Sequence, residues 1–86
     1  MRVKLYVSPM CPRCEMLKRA LKEMNVEYEV LDISNSDVMA DLVMRDIFLT
    51  ETPALEVGDH VFFASDLFNG DHLLVDKLRE VIKGRE

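Results

Sequence analysis

Val3-Lys4-Leu5-Tyr6-Val7-Ser8-Pro9-Met10-Cys11-Pro12-Arg13-Cys14-Glu15-Met16-Leu17 is the stretch on which the fold turns. Its first five residues alternate in polarity and favour extended backbone, so they read as a strand ending near Ser8-Pro9. From Pro12 the period changes. Met16, Leu17, Ala20, Leu21 and Met24 fall at helical spacing, with Arg13, Glu15, Lys18, Arg19, Lys22 and Glu23 on the opposite face. Pro12 suits the first helical position, where a missing N–H costs nothing. Cys11 therefore lands at the N-cap and Cys14 one turn inside. Free N–H groups and the positive end of the helix dipole at that point lower the pKa of a thiol.

Outward from this stretch, Glu27–Ile33 reads as a second strand and 37–48 as a helix behind Ser34, Asn35 and Ser36 as caps. Thr50-Glu51-Thr52-Pro53 breaks that pattern. Ala54–Val57 and Val61–Ala64 flank Gly58-Asp59 as a hairpin. Asn69-Gly70-Asp71 supplies a turn and a cap for a last helix through Leu74, Leu78, Val81 and Ile82, stopping at Gly84. The order is β-α-β-α-β-β-α, an α/β class with a central four-stranded mixed sheet flanked by helices. The handedness rule makes the first two strands parallel. No repeat, linker or low-complexity tract divides residues 1–86, which read as a single domain.

The two cysteines are the only ones in 86 residues. A disulfide between positions three apart closes a tiny loop and restrains the unfolded chain little, so the pair points to chemistry rather than stapling. The N-terminus has no apolar run of a signal peptide and no segment has the length of a membrane span, so the expectation is a cytoplasmic protein without a membrane. A net charge of −5 speaks against nucleic acid. Residues 1–26 nevertheless carry a net +4 and the remainder −9, placing the cysteines in the positive third. That charge favours a thiolate, and it also reads simply as a solvated helix face.

Ser8-Pro9-Met10-Cys11-Pro12-Arg13-Cys14 after a strand, with Thr52-Pro53 before a hairpin, resembles the glutaredoxins and glutaredoxin-like thioredoxins of the thioredoxin superfamily. The resemblance implies a thioredoxin-like fold and a thiol–disulfide oxidoreductase of glutathione or thioredoxin type. In it Cys11 attacks and Cys14 resolves, and the redox-active disulfide serves in place of any metal or organic cofactor. It also implies that Pro53 is cis and faces the cysteines, and that the backbone of Thr52 pairs with substrate as an added strand. Pro12, Arg13 and Asp71 complete the expected substrate-binding set. Expected partners are a disulfide-containing protein or small thiol, and a reductase or low-molecular-weight thiol as donor, acting on a monomer. Arg13 stands where glutathione-binding members carry Tyr, and Ser8 where they carry Lys, which leaves the donor open.

The same cysteines allow a different class of function: a non-enzymatic binding module, or a metal or iron–sulfur carrier sharing a site between two copies. Two cysteines are half a metal site, and His60 and His72 are too far apart in sequence for finger spacing, so both histidines read as surface residues. Arg13 is expected to guide an anionic thiol. Met10 is expected in an apolar docking rim, while the methionines on helical stripes (Met16, Met24 and Met39) read as core filler. Phe62, Phe63 and Phe68 are expected in the core.

Overall fold

The computed structural model describes residues 2–84. In chain order the elements are β1 (Val3–Val7), α1 (Pro12–Glu23), β2 (Glu29–Asp32), α2 (Ser36–Met44), β3 (Ala54–Val57), β4 (His60–Phe62), α3 (Ala64–Leu67), β5 (Phe68–Asn69), β6 (His72–Leu73) and α4 (Val75–Lys83). The main sheet runs β2-β1-β3-β4. β1 pairs parallel with β2 and antiparallel with β3, in the register Val3↔Val57 through Tyr6↔Ala54. The mixed four-stranded sheet, with helices on both faces, is the architecture that the spacing of apolar residues predicts.

Strand alternation assigns the two faces. Val3, Leu5 and Val7 of β1 join Leu55 and Val57 of β3 against Leu17 and Leu21 of α1 and Leu78, Val81 and Ile82 of α4. Tyr6 and Ala54 turn to the other face and pack with Leu42 of α2 and Leu49. Cys14 belongs to the first cluster, so the core itself holds that end of the motif in place.

Several boundaries differ from the sequence expectation. α2 ends at Met44 rather than 48, because Asp46 takes φ +57 and Ile47 N–H bonds to Leu42 C=O at 2.8 Å, a Schellman closure without glycine. Asn25, at φ +58, ends α1 in the same way, with Val26 N–H on Leu21 C=O. β2 is shorter than 27–33. β4 stops at Phe62, because Asp66 accepts the Phe63 N–H at 2.9 Å and starts the short α3 from Ala64. Asn69-Gly70-Asp71 makes its turn, with Gly70 at φ +63, but the turn closes a small β5–β6 hairpin; Leu74, not Asp71, is the N-cap of α4. The core-filler reading of the methionines fails for Met16, which is exposed, and Met24 and Met39 are only partly buried. Phe68 is buried and Phe62 packs against the core, but Phe63 is 39% exposed where a core position was expected.

Candidate active site

The strand-to-helix junction builds the site. Cys11 has extended backbone (φ −114, ψ 98) and is the N-cap of α1, with Pro12 following at the helix start. The Cys11 sulfur accepts the Cys14 N–H at 3.1 Å. A sulfur thus occupies the place where a cap oxygen ordinarily satisfies a free helix donor. The two cysteines form a disulfide. They differ in access: Cys14 is 2% exposed, whereas Cys11 is partly open and borders a groove on each side.

One groove is lined by Val7, Met10, Pro12, Glu15 and Lys18. Its one large apolar projection is Met10, at 99% exposure and φ +54, so the expected rim residue does stand at the mouth. Lys18 is paired with Glu15 at 2.9 Å, which leaves little unbalanced charge there. The second groove brings Arg13, Glu51, Thr52 and Asp71 to the other flank of Cys11, beside Ile33 and Thr50. Residues about 40 to 60 positions apart in sequence meet here because β3 lies beside β1, and because the β5–β6 hairpin carries Asp71 to the sheet end.

Thr52 is buried, and the Thr52–Pro53 peptide bond is cis. The Thr52 hydroxyl donates to the Cys11 sulfur at 3.5 Å and lies 2.6 Å from the Ser8 hydroxyl. Arg13 leans across the helix start: its Nη2 donates to Thr52 C=O at 3.2 Å and reaches the Glu51 carboxylate at 3.5 Å. The guanidinium also sits 5.6 Å from the centre of the Phe68 ring, within cation–π range. Arg13 is therefore a brace between α1 and the Thr52 loop, and it lines the groove beside Cys11. His60 and His72 are exposed, as expected, and outside this constellation. Among the described residues no three metal-ligating side chains come together.

Sequence reading missed the buried charge. Glu56 of β3 is 4% exposed, accepts the Tyr6 hydroxyl at 2.8 Å and pairs with Arg45 Nη2 at 2.9 Å. Burial, the hydrogen bond to Glu56 and the carboxylate charge together push the Tyr6 hydroxyl up to about 12. Glu56 also keeps the Arg45 guanidinium charged beyond its ordinary range. Glu56 stands in the sequence Ala54-Leu55-Glu56-Val57, where alternation alone reads it as a solvated strand position.

The glutaredoxin family model matches residues 3–62. Solved structures similar to this chain include the thioredoxin-like protein BC3987, at 24% identity and a TM-score of 0.71, covering 93% of this chain and 99% of that one. The glutaredoxin of Archaeoglobus fulgidus aligns at 23% identity and a TM-score of 0.68, over 96% of this chain and 87% of that one. The glutaredoxin-like NrdH-redoxin of Escherichia coli, described as having a thioredoxin-like activity profile, aligns at 22% identity and 0.61, over 73% and 82%. No curated protein sequence matches this chain.

Proposed function

Because this chain belongs to the glutaredoxin family, we propose that it is a cytosolic thiol–disulfide oxidoreductase that reduces protein or small-molecule disulfides through Cys11 and Cys14. The observation that carries the reading is the asymmetry of the pair. Cys11 is accessible and its sulfur already accepts two donors, while Cys14 lies in the core behind it. The Cys11 thiolate attacks one sulfur of a substrate disulfide, forming a mixed disulfide and expelling one substrate thiolate. The Cys14 thiolate then attacks the Cys11 sulfur, re-forming the Cys11–Cys14 disulfide and releasing the second substrate thiolate. Two electrons have passed to substrate, and a thiol or dithiol donor returns them by the same exchange in reverse.

Thr52 forms part of the wall against which a substrate segment docks, with Pro12 and Asp71 at its margins, whereas the Pro53 side chain is fully buried and does not line the groove. Arg13 is committed to Glu51 and to Thr52 C=O. The second groove therefore offers no unpaired cation to a donor with two carboxylates such as glutathione, which supports a donor recognised by shape and backbone contact. A dithiol reductase is of that kind.

The test uses two variants. Cys11→Ser abolishes disulfide reduction, while Cys14→Ser retains the first attack and accumulates a mixed disulfide seen by mass spectrometry. Accumulation on Cys14 in Cys11→Ser instead would reverse the roles.

A further inference from the structure

We propose that Ser8 is a positioning residue for the reactive sulfur, acting through the hydroxyl of Thr52. The inference rests on the reading of Cys11 as the attacking thiolate. It begins in the sheet register. β1 and β3 pair so that Tyr6 faces Ala54, and the same antiparallel count carried two residues further sets Ser8 opposite Thr52. The two hydroxyls meet at 2.6 Å, and Thr52 Oγ1 lies 3.5 Å from the Cys11 sulfur.

Each hydroxyl has one hydrogen. When Thr52 directs its hydrogen at sulfur, the short contact to Ser8 requires the Ser8 hydrogen, so the chain has one direction: Ser8 donates to Thr52, and Thr52 donates to Cys11. A disulfide sulfur is a weak acceptor and a thiolate a strong one. The relay therefore stabilises the charged, reduced form most, and the bond from Ser8 polarises the Thr52 hydroxyl further. With the Cys14 N–H at 3.1 Å, the Cys11 sulfur has one backbone and one side-chain donor already aimed at it. Thr52 is buried, so its orientation depends on the neighbour that accepts or supplies its remaining bond.

The reduced protein is alkylated with iodoacetamide across a pH series, with the labelled cysteine identified by mass spectrometry. Thr52→Val raises the midpoint for Cys11 by about one pH unit, the size expected for one hydrogen bond to a charged group. Ser8→Ala raises it by roughly half as much, and lowers the reduction potential, because the reduced form loses stabilisation. Ser8→Thr and Thr52→Ser, which keep the hydroxyls, hold the midpoint near that of the unaltered protein. Thermal unfolding of each variant confirms the fold. A Ser8→Ala midpoint equal to that of the unaltered protein, or a Ser8→Thr shift as large as that of Ser8→Ala, overturns the proposal while leaving the oxidoreductase reading intact. Preferential labelling of Cys14 in the unaltered protein overturns both.

Discussion

Arg13 shows how the fold gives a charged residue contacts that its sequence neighbours do not reveal. Its charge sits one position from a cysteine at a helix start, which in sequence reads as bait for an anionic thiol. In the fold it spans the 3.5 Å to Glu51 and the 3.2 Å to Thr52 C=O, with Phe68 beneath it. The ion pair is partly exposed, so it contributes at most about 1 kcal/mol, and salt weakens it. Glu51→Gln releases the guanidinium to the groove. The expected outcome is an increase of about twofold to threefold in the rate with a dianionic aromatic disulfide at low salt, consistent with roughly 0.5 kcal/mol for a partly screened charge. The rate with a neutral dipyridyl disulfide stays unchanged. Equal rate changes with both reagents would place Arg13 outside the path of the substrate.

α1 and α2 end on left-handed residues that are not glycine, and those ends position the elements that follow. Asn25 and Asp46 hold φ +58 and +57, a region where a side chain with Cβ is strained unless it is short and polar. The bond from Ile47 N–H to Leu42 C=O ends α2 at Met44, short of the 48 that apolar periodicity suggests, and leaves Phe48 66% exposed. Asp46→Gly removes the Cβ from a position at positive φ and is expected to stabilise the fold by up to about 1 kcal/mol. Asp46→Val, β-branched at positive φ, costs about 1–2 kcal/mol. Urea unfolding curves distinguish the two. Equal midpoints would mean that the loop relaxes around position 46.

Across the whole molecule, the sheet separates two environments: an apolar one that includes Cys14, and an opposite one that contains the Tyr6–Glu56–Arg45 network. Tyr6 is 1% exposed, and its folded value of about 12 lies above the ordinary 10.0. The folded state thus holds the phenol proton more tightly than the unfolded state. The resulting stability, on the order of 3 kcal/mol, is fully present below pH 10 and is lost as pH rises towards about 12. Subtracting the curve for Tyr6→Phe from that for the unaltered protein isolates this loss; parallel curves between those pH values would refute it. Glu56→Ala leaves the Tyr6 hydroxyl buried without its acceptor and is expected to cost about 2–4 kcal/mol in thermal or urea unfolding.

Local periodicity and the handedness of crossovers were enough to identify the strand of Val3–Val7, the helix behind Cys11, the parallel pairing with the second strand, and the placement of the cysteine pair at a helix start. These depend on neighbours within a turn or a strand, where spacing alone specifies which face is apolar. The partners of those residues depend on contacts about 40 or more positions away. Only the pairing of β1 with β3 brings Ser8 and Thr52 within 2.6 Å, turns Arg13 to the Thr52 carbonyl and buries Glu56 beneath Tyr6. A hydroxyl, a guanidinium and a carboxylate look like solvated groups in a sequence. The tertiary structure turns them into a relay, a brace and a buried acid, because a polar group removed from water must find a partner and only the folded chain determines which one.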